Sequence, residues 1–284
     1  MSDLGTIAIL FNQLAGRHRA QHMAASIADA LKSRQISYEI FGDRWPGDVS
    51  GFRSVWIIGG DGTLNYFLNH VAGEVPPLVV FQAGTGNDFA QLLYGDATLV
   101  ETIERALHAT PRKVDVGICN GQFFVNVAGI GFDGEVVKHM NAIRWMGAFW
   151  GYYTAVIKVI FGFKEPVYNV SINDGSFKTL KLLLLLVSNA PTTGGGFRIS
   201  PRADIGDGQL DLVTAEPLGK LKRLWALPKV RKGQHLELTF IHHQSIRKIS
   251  IRADRELKAQ LDGELIFGKQ FDIEICPAKF QFLY

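Results

Sequence analysis

The sequence VWIIGGDGTLN, residues Val55 to Asn65, decides the fold of this chain. Its first part, Val55 to Ile58, is a short apolar run that ends at glycines, which indicates a strand buried on both faces of a parallel sheet. The three glycines that follow let the backbone approach a ligand closely, and Thr63 can act as the N-cap of a helix over Leu64 to Val71. Because unpaired N–H groups and the positive end of a helix dipole meet at such a turn, the stretch predicts an anion-binding site.

Asp61 is the one residue of this stretch that a phosphate loop does not need. A carboxylate beside a phosphate is repulsive unless a cation or a polar network lies between them. Asp61 therefore indicates a nucleotide that is bound together with Mg²⁺.

The composition excludes several classes of protein. With 47% hydrophobic and 20% charged residues the chain has the balance of a globular protein, and its net charge of +3 is too small to indicate a nucleic-acid partner. Cys119 and Cys276 have neither metal-ligand spacing nor a disulfide framework, which favours a reducing compartment. The residues Met1 to Asn12 lack a basic segment and predict a first strand instead of a signal peptide. We therefore expect a cytoplasmic protein.

The first part of the chain alternates strands with helices, which predicts an α/β domain over residues 1–112 with a doubly wound, mainly parallel sheet. In such a sheet the loops at the carboxyl ends of the strands line one crevice, so we expect the loops at Asn12, Asp61 and Asn87 to lie together. The predicted strands are Thr6–Phe11, Ser37–Phe41, Val55–Ile58 and Leu78–Ala83, and the predicted helices are His18–Arg34, Leu64–Val71 and one from Phe89.

The second part, residues 113–284, predicts a mainly antiparallel β-sandwich with one helical insertion. Asn120-Gly121 and Asn173-Asp174-Gly175 are strong signals for hairpin turns. The last residues, Ala278 to Tyr284, are candidates to return to the first domain. The predicted strands are Val114–Ile118, Phe123–Val127, Val167–Ile172, Phe177–Val187, Leu210–Thr214, Leu236–Ile241, Ile246–Arg252 and Phe271–Ile275.

The helical insertion, Ile143 to Phe163, is about long enough to cross a bilayer. Arg144 and Lys158 lie within it and glycines interrupt it, and a charge at that depth is costly. A buried helix is therefore the main prediction, with a partly exposed face that touches lipid as the alternative.

Three further stretches place polar residues where an ordinary loop would not need them. Gly84 to Asp88 repeats the glycine turn, although Asn87 or Asp88 could simply cap a helix. Gly194 to Asp211 combines three glycines with carboxylates that suit Mg²⁺ or Ca²⁺, unless these are solvated turn residues. Asp262 to Glu264 is by itself a hairpin turn, and its carboxylates matter only if the fold brings them to the crevice.

The order and spacing of these motifs resemble those of the diacylglycerol kinase catalytic domain family. The match is to the soluble bacterial lipid kinases, with sphingosine and ceramide kinases as more distant relatives, and it spans essentially the whole chain. GGDGT alone would be shared with NAD kinases and phosphofructokinases, whereas GTGND together with a late DGE resembles the lipid kinases. The matching stretches are GGDGTLN at Gly59–Asn65, GTGNDFA at Gly84–Ala90, GGGFRISPRADIGDGQLDL at Gly194–Leu212 and DGE at Asp262–Glu264.

The resemblance implies an N-terminal nucleotide domain, a C-terminal β-sandwich and ATP in the cleft between them. It implies that Asp61 organises Mg²⁺ and the phosphates with support from Asp88, and that Glu264 is the general base on the lipid hydroxyl. The implied ligands of a second, structural Mg²⁺ are Asp204, Asp207 and Gln209, and the implied nucleotide contacts are Asn12, Gly16, Gly60, Asp61, Gly62, Thr63, Leu64, Asn65 and Thr85.

The sequence departs from the family pattern at four positions. Gln13 stands where a proline is usual, Tyr66 where a glutamate commonly follows GGDGTLN, and Gln91 where an arginine commonly follows GTGNDFA. Asp43 stands in place of the family threonine after the second strand. These departures fall on the nucleotide side and leave the implied catalytic carboxylates intact.

We therefore expect an ATP- and Mg²⁺-dependent kinase that phosphorylates the hydroxyl of a membrane lipid, with diacylglycerol as the first candidate. Two alternatives stay open: a soluble kinase of the NAD-kinase type, and a catalytically silent nucleotide- or lipid-binding regulator. The expected partner is a membrane lipid, met through peripheral contact, and no nucleic acid is expected. The basic run Lys220 to Lys232 could serve such contact or form a solvated face. The sequence leaves the oligomeric state open, with a homodimer among the options.

Overall fold

A computed structural model describes residues 5–13, 19–42, 44–141 and 148–284 of the chain. Within it the chain divides into two compact units, of which the first is Met1–Val114 with Ala278–Tyr284 and the second is Asp115–Pro277.

The first unit has a parallel sheet in the order β2-β1-β3-β4, which confirms the predicted α/β class. The register pairs Phe11 of β1 with Ile58 of β3, and Ile58 with Phe81 of β4. These strands therefore end side by side, and the loops that follow them start from one edge of the sheet. The elements are β1 Ile7–Phe11, α1 Arg19–Ser33, β2 Tyr38–Phe41, β3 Ser54–Gly59, α2 Asp61–His70, β4 Leu78–Gln82, α3 Asp88–Tyr94 and α4 Leu99–His108.

The last residues of the chain belong to this first sheet. Phe282 pairs in parallel with Leu78 of β4, and the buried Tyr94 hydroxyl donates a hydrogen bond to the Leu283 carbonyl (2.9 Å). Burial raises the pKa of Tyr94 well above its ordinary value, so the hydroxyl keeps its proton for this bond.

The second unit has antiparallel strands in the order β12-β11-β10-β7-β13-β14, with β8 paired to β13 and β9 to β8. Side chains alternate along β10, so that Leu185 and Val187 belong to one hydrophobic core and Leu186 to another. The elements are β5 Arg112–Cys119, β6 Gln122–Phe124, β7 Val127–Ile130, α5 Phe132–Asn141, α6 Ala148–Gly162, β8 Val167–Ile172, β9 Lys178–Lys181, β10 Leu184–Ser188, β11 Leu210–Ala215, α7 Lys220–Arg231, β12 Ile241–Ile246, β13 Lys248–Leu261 and β14 Glu264–Phe282.

Both hairpin turns of the second unit are confirmed. Asn120 and Gly121 join β5 to β6 with φ of 49° and 87°, and Asn173 and Asp174 join β8 to β9 with φ of 48° and 58°. Positive φ at both central residues matches the twist of the flanking strands, which is why Asn, Asp and Gly occupy these turns.

Three predicted strands of the second unit are wrong. Phe123–Val127 covers the end of β6, two bend residues and the start of β7. Phe177–Val187 is two strands, because the exposed β9 pairs with β8 whereas β10 pairs with β7 and β11. Leu236–Ile241 is not a strand, since Leu236 and Leu238 pack against the core in a turn-rich segment before β12 begins. The later, apolar part of Phe177–Val187 and the run Leu236–Ile241 both pack on a core, and a short apolar run does not itself specify strand pairing.

The apolar segment Ile143–Phe163 contains α6 from Ala148, and its residues 142–147 lie outside the described ranges. One face of α6 is buried, including Val156 and Ile160, while Trp150 and Phe161 are exposed. None of the helices in the described ranges is long and apolar enough to span a bilayer. The prediction of one helical insertion is wrong, because the second unit has two further helices: α5, and α7 in the basic run after Gly219.

Candidate functional site

The N-terminus of α2 is the centre of the site in the first unit. Gly60 is its N-cap in an extended conformation (φ −112°, ψ −170°), and the Gly60 carbonyl accepts hydrogen bonds from the amides of Thr63 (2.9 Å) and Leu64 (3.1 Å). The prediction that Thr63 is the N-cap is wrong, because the helix already begins at Asp61 and Thr63 lies buried within it. No side chain in the described ranges caps this helix end, so the positive end of the helix dipole is left without a side-chain partner and suits an anion.

The two glycine turns are in direct backbone contact. The Asp61 amide donates to the Gly86 carbonyl (3.0 Å), and a Cβ on Gly60 would overlap that carbonyl. A Cβ on Gly84 would overlap the Gly60 backbone in turn. The glycines are therefore required for the close approach of the two loops, which the sequence predicted only as neighbours along one sheet edge.

The Asp61 carboxylate joins the two loops. Its oxygens accept hydrogen bonds from the amides of Asp88 (2.9 Å) and Phe89 (3.0 Å), which are the first residues of α3. Asp61 therefore caps α3 from a distant part of the chain and complements the dipole of that helix. This contact gives Asp61 a structural role, and the role in organising Mg²⁺ remains a prediction.

The side chain of Asn87 braces the second loop instead of capping α3. Its Oδ1 accepts from the Gly84 amide (3.0 Å) and its Nδ2 donates to the Gly84 carbonyl (3.1 Å). Asn87 is the N-cap residue of α3 by position, but its side chain makes no capping hydrogen bond, and the capping oxygens come from Asp61.

The other predicted nucleotide contacts divide by exposure. Side chains that face the core can meet a nucleotide only through their backbone, whereas exposed positions can meet it directly. Leu64 and Asn65 are buried, Asn12, Gly62 and Thr85 are exposed, and Gly16 lies outside the described residues, as does Asp43.

In the second unit, Asp262 and Gly263 form the turn between β13 and β14, with φ of 49° and 89°. The buried Asp262 carboxylate accepts three backbone hydrogen bonds, from the amides of Val125 (2.7 Å), Asn126 (2.8 Å) and Val127 (3.1 Å). Asp262 is thus occupied in fixing the turn to the segment before β7. Glu264, the next carboxylate, is exposed at the start of β14.

A buried polar network holds the same turn from the other side. The Gly263 amide donates to Gln260 Oε1 (2.7 Å), and Gln260 Nε2 donates to Asp133 Oδ2 (2.6 Å). The Tyr152 hydroxyl of α6 donates to Asp133 Oδ1 (2.9 Å). Burial raises the pKa of Asp133, although these two hydrogen bonds act to lower it. No sequence pattern indicated this network, because its members are scattered along the chain.

The aspartate loop after Pro201 is organised by its own carboxylates. Asp204 Oδ1 accepts from the Gly206 amide (3.0 Å), and Asp207 Oδ1 accepts from the Gln209 amide (2.9 Å). The pKa of Asp207 is raised by burial first and then by the neighbouring carboxylates, which are Asp204, Asp211 and Asp115.

Such a set of carboxylates offers hard oxygen donors, and a cation would relieve their mutual repulsion, so the predicted ligand set fits Mg²⁺ by chemistry. Across the described ranges no three histidine, cysteine, aspartate or glutamate side chains group closely enough to hold a metal ion among themselves. The set of Asp204, Asp207 and Gln209 contains only two such side chains, and it remains a prediction.

The glycine loop before this segment packs on α6. Gly194, Gly195 and Gly196 all have positive φ (64°, 80° and 104°), and the amides and carbonyls of Thr193 and Phe197 exchange hydrogen bonds (3.0 and 2.9 Å) across it. A Cβ on Gly194 would meet the ring of Tyr152, so this glycine allows the loop to lie against α6.

Two of these features are typical of a phosphotransferase. The first unit has a glycine-lined helix N-terminus that suits phosphates, and the second unit has an exposed carboxylate, Glu264, beside the turn that Asp262 fixes in place. Comparison with known proteins agrees. Residues 6–119 match the diacylglycerol kinase catalytic domain, and residues 126–284 match the YegS C-terminal NAD kinase beta sandwich-like domain. The chain belongs to the diacylglycerol kinase family of lipid kinases.

Individual relatives cover almost the whole chain. A diacylglycerol kinase of Mycobacterium tuberculosis is 27% identical in an alignment of 301 positions that covers 99% of this chain and 96% of that protein. A protein of Chromohalobacter salexigens named "Probable lipid kinase YegS-like" is 27% identical and covers 93% of this chain and 83% of its own length. The crystal structure of a diacylglycerol kinase from Bacillus anthracis strain Sterne has the same fold, with a TM-score of 0.75 at 20% identity over 100% of this chain and 98% of that one.

Proposed function

We propose that this lipid kinase transfers the γ-phosphate of ATP to the hydroxyl of a membrane lipid, with diacylglycerol as the first acceptor to test. The observation that carries the proposal is the contact of the two glycine loops at the N-terminus of α2. It presents the positive end of a helix dipole at a helix end that no side chain in the described ranges caps.

The phosphates of ATP fit this helix end in the proposed function. Gly60 and Gly62 offer backbone that a phosphate can approach closely, and the bond from Asp61 to α3 keeps the second loop in place while the ligand binds. A preorganised helix end of this kind lowers the cost of binding charge because it needs no rearrangement. Mg²⁺, when bound, would supply the charge neutralisation that phosphoryl transfer requires.

Glu264 is proposed as the general base. Its carboxylate accepts the proton of the lipid hydroxyl while the hydroxyl oxygen forms a bond to the γ-phosphorus and the bond from that phosphorus to the departing ADP oxygen breaks. Glu264 suits this role because it is exposed whereas Asp262, two residues earlier, is already saturated by three amides. The anchored turn limits the positions that the base can take.

The lipid substrate is supported by the surface of α7. Leu221 is 83% exposed and Trp225 is 53% exposed, and Lys229 Nζ lies 4.8 Å from the centre of the Trp225 ring. Apolar side chains interleaved with lysines suit a peripheral contact with an anionic membrane, in which the apolar groups enter the interface and the lysines meet the head groups. We therefore propose that the protein is cytoplasmic and meets its substrate at a membrane surface.

The direct test is phosphate transfer from γ-labelled ATP to a panel of acceptors presented in mixed micelles. The panel contains diacylglycerol, monoacylglycerol, ceramide and sphingosine, with NAD as a soluble acceptor. We expect label in the diacylglycerol product, dependent on Mg²⁺. Label transferred only to NAD would support a soluble kinase of the NAD-kinase type, and nucleotide binding without transfer to any acceptor would overturn the enzymatic proposal.

A further inference from the structure

A chain of hydrogen bonds inside the second unit runs from α6 to the turn between β13 and β14. The Tyr152 hydroxyl and Gln260 Nε2 donate to the two oxygens of Asp133 (2.9 and 2.6 Å). Gln260 Oε1 in turn accepts from the Gly263 amide (2.7 Å), which is the residue before Glu264. Asp133 and Gln260 are only 3% and 1% exposed. We refer to Tyr152, Asp133 and Gln260 as the turn-supporting network.

The hydrogen bonds of Gln260 can run in one direction only. The Gly263 amide can only donate, so it requires the oxygen of the Gln260 side chain. The NH₂ group of Gln260 then points at Asp133 and needs an acceptor there. Asp133 provides it in either protonation state. The Tyr152 hydroxyl can donate to Oδ1 or accept from a protonated Oδ1, and Oδ2 stays an acceptor for Gln260 in both cases.

Close backbone packing places the Asp133 carboxylate. Gln260 of β13 pairs with Gly129 of β7, and a Cβ on Gly129 would overlap Asp133 Oδ2. A Cβ on Gly134 would likewise overlap the Lys258 backbone, so the first turn of α5 lies directly against β13. The two glycines therefore let Asp133 reach Gln260 from the neighbouring helix.

The network fixes the half of the turn that Asp262 does not. The Asp262 carboxylate binds the segment before β7, which secures the first central residue of the turn. Gly263 is the second central residue, with φ of 89° and no side chain of its own to hold it. Its amide is held by Gln260, and any change in the Gly263 backbone moves Glu264, the next residue.

We propose that Asp133 and Gln260 are positioning residues that hold Glu264 where its carboxylate meets the lipid hydroxyl. This inference rests on the proposed function, in which Glu264 is the general base. A base must stay within hydrogen-bond reach of the proton that it accepts, and a displacement of about 1 Å can lower a rate about 10²-fold. Because ATP binds to the first unit in the proposed function, the network acts on kcat and leaves ATP affinity unchanged.

The test is phosphate transfer from ATP to diacylglycerol in mixed micelles, measured with the full chain. Gln260→Leu and Asp133→Leu each break the network, and each is expected to lower kcat about tenfold or more with an unchanged Kd for ATP. Asp133→Asn still offers an oxygen to Gln260 and an NH₂ group to the Tyr152 hydroxyl. It is therefore expected to recover most of the rate that Asp133→Leu loses.

The same substitution in a Glu264→Gln background separates positioning from a general loss of structure. If Gln260 acts through Glu264, the protein without the base has nothing left to misplace. Gln260→Leu is then expected to lower the rate of Glu264→Gln by less than about twofold. An equal loss of rate in the two backgrounds would overturn the positioning role.

Ile249→Val controls for lost stability. Ile249 is buried and pairs with Ile273 at the end of the β13–β14 hairpin that lies away from the turn. The smaller side chain is expected to lower the unfolding temperature and leave kcat unchanged. Thermal unfolding shows which variants are folded at the assay temperature. Gln260→Glu, which keeps the shape of the side chain but turns an oxygen towards Asp133, replaces any leucine variant that does not fold, and the same loss of kcat is expected.

The outcomes separate this inference from the function on which it rests. Wild-type kcat in folded Gln260→Leu or Gln260→Glu would overturn the positioning role while the kinase function stands. A wild-type rate in Glu264→Gln alone would overturn Glu264 as the base and, with it, the role of the network.

Discussion

Asp61→Asn separates two roles for the aspartate of the first glycine loop. In the structure its two carboxylate oxygens accept the amides of Asp88 and Phe89. An asparagine can offer its oxygen to only one of them, and its NH₂ group then faces the second N–H. One hydrogen bond to a charged group is lost, at about 1.5–3 kcal/mol, and a partly buried donor is left unpaired. We expect a loss of about 2–4 kcal/mol in the free energy of unfolding.

The assay is thermal unfolding of the full chain in EDTA, so that no divalent cation contributes. For a unit of this size the loss corresponds to a fall of roughly 10 °C in the unfolding temperature of the first unit. Asp96→Asn is the matched control, because Asp96 is exposed beyond the other end of α3 and its carboxylate accepts a hydrogen bond from the Gln91 side chain (2.8 Å). An Asp61→Asn protein that unfolds at the wild-type temperature in EDTA would refute the capping role and favour a role confined to the metal.

Three other predictions concern Gly60, Asp133 and the exposed apolar side chains of α7. Gly60→Ala is expected to destabilise the first unit by about 1–3 kcal/mol and to weaken the binding of inorganic tripolyphosphate, because the added Cβ overlaps the second loop. Gly51→Ala has open space around its Cβ and is expected to change neither quantity when both are measured by calorimetry. Because burial raises the pKa of Asp133, its contribution to stability is fully present below pH 4 and is lost as the pH rises. Urea unfolding from pH 4 to 8 is therefore expected to show the wild type losing stability relative to Asp133→Asn. Parallel curves for the two proteins would contradict this. Leu221→Glu with Trp225→Glu is expected to reduce cosedimentation with anionic vesicles several-fold without changing ATP affinity, and unchanged cosedimentation would exclude α7 as the contact.

The strands and turns that could be predicted are those that a short stretch of sequence specifies by itself. Apolar runs followed by glycine turns gave the strands of the first unit, and Asn-Gly and Asn-Asp-Gly gave the hairpins of the second. The errors arise where a run covers a core without pairing, as before β12. The start of α2 was misplaced because Gly60, and not a hydroxyl side chain, is its N-cap.

The candidate site shows the same division. The glycine loops and the DGE turn could be located from the sequence. It could not show that the Asp61 carboxylate accepts hydrogen bonds from the amides of α3, or that the Asp262 carboxylate accepts them from the segment before β7. The network through Gln260 and Asp133, and the ring contact between Trp45 and Tyr66, depend on residues that are far apart in the chain. No periodicity encodes such contacts.

The most direct test of the central claim is single-turnover phosphate transfer to diacylglycerol by Glu264→Gln. The substitution keeps the shape of the side chain and removes its capacity to accept a proton. Because general base catalysis contributes about 10²–10⁴-fold, we expect the rate to fall by that factor while the Kd for ATP is unchanged. A Glu264→Gln protein that transfers phosphate at the wild-type rate would contradict the account.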